Sequence, residues 1–573
     1  GGLGSTGLAQ DGEVEDYILT IAQDLAVNLP TGNGTNRISV RQNGTNVEIF
    51  DLTASAAIAT SPLALTNSVT VRGSGTEVDE MTVDYSFGGF FSLPGGIQLD
   101  GGAGGGDLLT VTGTNGSVTT TATYVSQGLS LGNATLEFVE GQVTSEIRFT
   151  NFEPLTINNV SLLEVAGVLN VGADTLTVNA NSFVKLGLQT NLLNGKIVAP
   201  SGVTLTAGQT IHGKGMITGK VAADVGSTIE ATGPLSMGDA ASPDGFFSRG
   251  ELRVLGNIVG LLDSNQAVLG SITRLGNAGV AGTLNAAHGL VLDFGNNIVG
   301  FGTVNTPNDV LRPVINNGAI SGNSATEKIT LTGYVKGVGS LDNVNITGTN
   351  SPGFSPATVY YGSASYGATG KLVAELGGTS GGAYDRQIYS GTADLAGTLD
   401  IELINGYQAE VGDSFTLITA AGGVHGTFSS QTLPSLPEFW SWQLAYGTND
   451  LKTIVVTSRP WHNSRKGLDV TNDGHIAPED PLEVINCINA LGSGALPAPH
   501  NYVAPFIDVD GDNNVSPNDA LEVINAINAG LGGEGEAGPR GQGTGDREQR
   551  IGFDELTQLL ALDVASQPKR RNA

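Results

Sequence analysis

A single cysteine, Cys487, stands in 573 residues, so no disulfide framework can form within the chain. Stability has to come from elsewhere, from repetition of structure and from bound metal. Basic residues are scarce, with Lys+Arg 26 against Asp+Glu 55 and a formal net charge of −29. So anionic a chain argues against binding nucleic acid, which needs cations to meet phosphates, and against docking onto anionic lipid. Aromatic residues make up only 6%, and no apolar run is long enough to span a bilayer. Catalytic signatures are missing as well: there is no nucleophile elbow, no phosphate-binding P-loop and no zinc spacing. The six histidines are isolated from one another, and His212 and His288 are expected in turns. The acids Asp239, Asp244, Asp263 and Asp293 lack periodic spacing, and the bases Lys214, Lys220, Arg249, Arg253 and Arg274 are thinly scattered. Neither the carboxyl pair of a glycosidase nor the basic residue of a polysaccharide lyase can be picked out from them. The chain opens Gly1-Gly2 without a Met or a signal peptide, which reads as a fragment or a processed product.

What the chain has is glycine, 84 residues of it, set between short β-branched runs. From about residue 36 to 350 come RISVRQ, NVEIFDL, EMTVDYS, DLLTVTG, TLEFVEG, EIRFTNF and TLTVNA, divided by Gly, Asn, Asp and Thr turns. No helical period competes, so the span reads as all-β, either sandwiches or a solenoid. A recurring Gly-x-Gly favours the solenoid: Gly213-Lys-Gly215, then Phe301-Gly302, then Gly337-Val-Gly339, each flanked by apolar residues. Glycine there lets the chain turn a corner while its neighbours point inward to stack on the next coil. The stretch from Asp100 to Asp107, rich in glycine, is near a calcium-binding β-roll repeat but out of register and present once, so a glycine hairpin is expected. Residues 350–458 change character, and Phe439, Trp440 and Trp442 are natural plugs for an exposed solenoid end.

The densest chemical signal lies near the C-terminus, where one loop pattern occurs twice, 39 residues apart. The first copy is Asp469-Val-Thr471-Asn-Asp473-Gly474-His475-Ile476-Ala-Pro478-Glu479-Asp480, and the second is Asp508-Val-Asp510-Gly-Asp512-Asn513-Asn514-Val515-Ser-Pro517-Asn518-Asp519. Both place oxygen side chains at loop positions 1, 3, 5 and 12. Such spacing wraps about six to eight oxygens around a hard cation such as Ca²⁺. Position 8, Ile476 or Val515, suits a short strand coupling the two loops. A similar apolar helix follows each, LEVINCIN and LEVINAIN, with Cys487 facing the core. No helix precedes either loop, since Trp461–Leu468 is short and polar, and Pro497, Pro499 and Pro505 interrupt the second approach.

A doubled loop with its exiting helix, over residues 460–530, resembles the type I dockerin module. That resemblance implies two calcium ions and a cohesin-like partner on another protein. It implies ligands Asp469, Thr471, Asp473, Asp480 and the His475 carbonyl in one site, and Asp508, Asp510, Asp512, Asp519 and the Asn514 carbonyl in the other. Thr471 departs from the usual Asn or Asp, Asn513 replaces a glycine, and Pro478-Glu479 and Pro517-Asn518 stand where cellulosomal dockerins tend to carry Ser-Thr. Upstream, DGEVEDYILTI at 11–21 resembles the last strand of the bacterial GEVED domain. GTLNAAHGLVLDFGNNIVGFGTVNTPN and its neighbours resemble the autotransporter-like parallel β-helices of bacterial surface proteins.

The expected fold is mainly β: a right-handed parallel β-helix or β-solenoid with a β-sandwich-like cap, then a small α-helical calcium-binding dockerin. The expected layout is a GEVED-like strand at 1–26, a β-strand repeat region at 27–165, an autotransporter-like β-helix at 166–350 and a β cap at 351–458. The dockerin follows at 460–530, then a disordered linker at 531–550 and an amphipathic tail at 551–573, a clasp or a sorting signal. The leading expectation for function is a non-catalytic extracellular or cell-surface stalk, adhesin-like, anchored through the dockerin. A dockerin-anchored carbohydrate-active enzyme acting on polysaccharide is the alternative, and calcium-dependent cell adhesion through the acidic surface a third.

Overall fold

The computed structural model describes residues 22–532, apart from 33, 116–119, 180, 242–244 and 499. The GEVED-like string at 11–21 and the tail from residue 533 onward lie outside the described residues. No described helix is long and apolar enough to cross a membrane. The chain is mainly β, and the described residues form two α-helices, both in the C-terminal repeat region. It divides into two compact units, one of residues 1–374, 385–400 and 420–431, the other of 375–384, 401–419 and 432–573.

The first unit is built from parallel ladders consistent with a solenoid. Strands such as Asp79–Asp84 and Leu108–Thr112 bury every second side chain, as their alternating sequence dictates. Each pairs with a strand before it and one after it, and the buried positions fall in register. Ile38, Met81, Leu109, Leu155, Leu176, Ile197, Ile217, Met237, Leu261 and Ala286 form one continuous column. None is more than 1% exposed. Parallel stacking is already present between Gln23–Asn28 and Thr66–Arg72, but before residue 165 it is interrupted by antiparallel pairs, Asn36–Asn43 with Asn46–Asp51 and Ala134–Glu140 with both Thr120–Ser126 and Val143–Thr150.

The Gly-x-Gly corners are required by close stacking. A Cβ on Gly213 would meet the Leu192 carbonyl oxygen at 2.0 Å, and one on Gly215 the Gly195 oxygen at 2.2 Å. Two sequence expectations fail here. Residues 101–107 do not close a hairpin: Ile97–Asp100 pairs with Thr66–Arg72 and Val143–Thr150, whereas Leu108–Thr112 belongs to another ladder. His212 lies within the strand Thr210–Thr218, its ring 3.6 Å from Glu230, while His288 does occupy a turn.

Two residues before the apolar column runs a polar one: Asn36, Asp79, Asp107, Glu153 and Asp174. Asn36 Nδ2 donates to Asp79 Oδ1 at 2.7 Å, and the Asp79 N–H donates to Asp107 Oδ1 at 2.7 Å. Asp79 and Asp107 are fully buried, and Asp107 Oδ2 has no partner among the described residues. Burial, and then the charges of Asp79 and Asp100, push the Asp107 carboxyl up. Burial and the neighbouring Glu153 push Asp174 up to about 6.

In the second unit, Asp450–Thr457 runs antiparallel to both Trp440–Tyr446 and Ser414–Ala420. Phe415 is the hub of its core, with Tyr384, Tyr407 and Trp442 rings 5.3, 6.2 and 6.3 Å away.

A carboxyl whose pKa is raised on folding stabilises the fold while protonated and loses that contribution as pH rises. For Asp174 the loss falls between the ordinary value of 3.8 and about 6. Asp174→Asn should therefore leave the melting temperature of the first unit unchanged below about pH 3 and raise it above pH 6. Thermal melts across that range check this, and parallel pH profiles for the two proteins would contradict it.

Candidate metal centres

Each repeat loop is a backbone wrapped around its own carboxylates. In the first, Asp469 takes the Asp473 N–H on Oδ1 at 3.1 Å and the Gly474 N–H on Oδ2 at 2.9 Å. Asp480 Oδ1 accepts from the Thr471 N–H at 2.8 Å and the Thr471 hydroxyl at 3.0 Å, and its Oδ2 accepts from Ala477 N–H at 2.8 Å. Asp473 takes the His475 N–H at 2.8 Å. Thr471, which stands where Asn or Asp is usual, therefore spends its hydroxyl proton on Asp480. The Lys466 ammonium bonds the Gly474 carbonyl.

The second loop repeats the pattern with more charge. Asp508 takes the Asp512 and Asn513 N–H groups, each at 2.9 Å, and Asp512 takes the Asn514 N–H at 2.7 Å. Asp519 accepts from Val509 N–H at 2.7 Å and from the Ser516 N–H at 2.8 Å. Asn513 adopts φ 64°, the left-handed conformation for which its position usually holds glycine. Ligand oxygens of Asp508, Asp510 and Asp519 all lie within 4.8 Å of one another. Asp469, Asp473 and Asp480 do not meet that spacing among the described residues.

Asp508 and Asp519 are buried, as are Asp469 and Asp480 in the first loop. Burial, and then the Asp519 charge, raise the Asp510 carboxyl, while burial is the main cause at Asp508. Crowded carboxylates whose donors are backbone N–H groups and the Thr471 and Ser516 hydroxyls have only neutral company, and an all-oxygen donor set of this kind fits a hard divalent cation. Calcium bound there would neutralise the cluster and complete its coordination with backbone oxygen.

Helices α1 (Glu479–Leu491) and α2 (Pro517–Asn528) begin on the last ligand positions. Ser516 and Asp519 form a capping box at the start of α2, so one carboxylate both starts the helix and closes the loop. Val470, Ile476, Val484, Ile485, Ile507, Val509, Val515, Ala520 and Val523 make a single core under both loops, with Cys487 half-buried against it. The expected strand between the loops is not formed: Val515 pairs with Gly494, and Ile476 contributes to the core without a strand partner. The insertion between the repeats supplies that edge instead.

Sequence reasoning missed three supports. Glu522, one helical turn beyond Asp519, has its carboxyl raised by burial and by the charges of Asp510 and Asp519. His462 Nδ1 contacts the Asp508 carbonyl oxygen at 2.8 Å while its ring meets Phe439 edge-on at 5.4 Å. Arg465 donates to Gln408 Oε1 at 2.9 Å and the Ala409 carbonyl at 2.7 Å, pairs with Glu410 at 2.9 Å, and lies 5.0 Å over Trp440. Trp440 also meets Tyr502 at 5.6 Å. Phe439 and Trp440, expected as plugs, thus spend their faces on the loop–helix module. Only the i+3 spacing of Glu522 carried a readable signal.

Residues 467–528 match the family described as Dockerin type I domain. No curated protein matches the chain.

Two calcium ions should bind the wild-type chain and one should remain in Asp519→Ala, counted by titration. Each calcium site held at a hundredfold over its Kd should add about 2.7 kcal/mol to the module's stability. Chelation should unfold residues 460–530, with a change in tryptophan fluorescence, while the far-UV signal of the parallel ladders persists. One transition shared by the whole chain would contradict it.

Proposed function

We propose that the chain is a non-catalytic extracellular or cell-surface scaffold, a right-handed β-solenoid stalk with a sandwich-like cap, attached through a calcium-dependent dockerin to a cohesin-like partner. The observation that carries this reading is the repetition of a complete loop–helix unit, with an apolar residue exposed at the same place in each. Leu482 and Leu521, 39 residues apart, are both 48% exposed at the start of their helices, while the residues beneath them are core. Two matched apolar side chains held on a calcium-shaped frame are a surface for a protein partner. Calcium acts at a distance from that surface, by fixing the loops from which both helices depart.

The stalk is favoured over an enzyme by the outer face of the ladders. Thr283, Thr303 and Thr330 stand in register, and beside them Asn305 donates to Asn285 at 2.9 Å and accepts from Thr332 at 2.8 Å. Side chains bonded to one another along a stack are spent on holding it, not poised to move protons. Among the described residues, the one trio of His, Cys, Asp or Glu side chains close enough to share an ion is that of the second loop.

Immobilised full-length chain should capture a cohesin-like protein from the source's envelope and secreted fractions in Ca²⁺ and release it in EDTA. The double substitution Leu482→Asp and Leu521→Asp should abolish capture without reducing calcium stoichiometry. Retention by that variant, or release of sugars from acidic polysaccharide by the purified chain, would overturn the reading.

A further inference from the structure

The outer face of the first ladders holds a cleft of about 510 Å³ whose floor includes Arg72, Gln98, Asp100 and Arg148. Register builds it. Gln98 stands between Thr70 and Arg148, and Asp100 between Arg72 and Thr150, on three adjacent parallel strands. The direct cross-strand neighbour of Arg72 is thus a carboxylate, yet the two do not pair. Asp100 Oδ1 is turned to the Gly102 N–H at 3.1 Å and to Asn151 Nδ2 at 2.8 Å. In a chain with 55 acids against 26 bases, the exposed Arg72 guanidinium has no partner among the described residues, and the exposed Gln98 amide has none among them either. Among the described residues Arg148 is paired with Glu146 alone, in an exposed contact of the weak surface kind.

Two arginines, their Cα atoms roughly 12 Å apart by two strand spacings across and two residues along, with amide, hydroxyl and carboxylate groups between them, define the ligand. Planar guanidinium favours a carboxylate gripped through two N–H groups. Gln98, Thr150 and the free lone pairs of Asp100 suit hydroxyl groups. The only aromatic ring of the lining, Phe149, is 2% exposed, so no platform offers stacking to a neutral sugar or a base. An extended peptide cannot add here as a strand, because Ile97–Asp100 is already hydrogen-bonded on both sides. We infer that this cleft binds an acidic oligosaccharide, a chain of uronic-acid sugars, with Arg72 and Arg148 each taking a carboxylate. The inference does not depend on docking through the C-terminal module.

The test is calorimetric titration of the full chain, at fixed calcium and low salt, with a galacturonic acid tetramer. The fully methyl-esterified tetramer and inorganic sulfate serve as controls. The acid tetramer should bind, its ester at least tenfold more weakly, and sulfate should not displace it at equal concentration. Arg72→Gln and Arg148→Gln should each weaken binding by about tenfold, the loss of one charge-assisted pair. Lys185→Gln, which removes a charge paired with Glu164 outside the cleft, should bind like wild type, and all three should melt like wild type. No binding of the acid tetramer, equal binding of the ester, displacement by sulfate, or an indifferent Arg72→Gln would each overturn the inference.

Discussion

Everything in the larger unit depends on parallel strands stacking in register. A strand flanked on both sides has all of its backbone groups satisfied by its neighbours, and its side chains fall directly above and below those of the adjacent strands. One choice of residue is thereby repeated down a column. Where the column is Leu and Ile, it becomes a core ten rungs deep with almost no exposure. Where it is Asp and Glu, repetition becomes a cost, since like charges are brought to one strand spacing. The Asn36 to Asp174 column answers with a donor at one end and with raised carboxyls at Asp107 and Asp174. The same rule places Arg72 and Arg148 on one floor, though 76 residues of chain separate them.

The C-terminal module answers a different constraint. Its carboxylates are gathered by their own backbone within twelve-residue loops, and its hydrophobic core is small for two helices. Folding there concentrates negative charge without supplying a positive partner, and the cation is the missing component. Yet the module does not stand alone in its unit. Arg465 reaches the 408–410 turn, and Phe439 and Trp440 pack on His462 and Tyr502. The second loop is held from outside through the carbonyl of Asp508.

Legibility in the sequence tracked the range of the contact. The two calcium loops and their helices could be read because ligand spacing, cap and apolar stripe all lie within about two dozen residues. The β character and inward-outward alternation were equally local. Pairing partners were not, for successive column members lie between 20 and 46 residues apart, with no fixed period. The segment from 101 to 107 was misread for that reason: glycines close hairpins when the flanking strands need each other, and these strands already had partners in different ladders. Val515 likewise found Gly494, from an insertion that no loop pattern mentions. Trp440 was read as a packing residue but not as a partner of Arg465, since a lone arginine acquires meaning only when the fold brings it to its partners.

The Gly-x-Gly corners bear on how such a chain can change length over generations. Gly213 lies against Leu192, and Gly215 against Gly195, so close that a side chain would strike backbone. Loss of a single residue between corners would turn every following side chain to the opposite face, until a loop absorbed the slip. Loss or duplication of a whole rung keeps every following side chain on its own face. Genes of this type can therefore be expected to lengthen and shorten in whole rungs, with small insertions confined to the loops between strands.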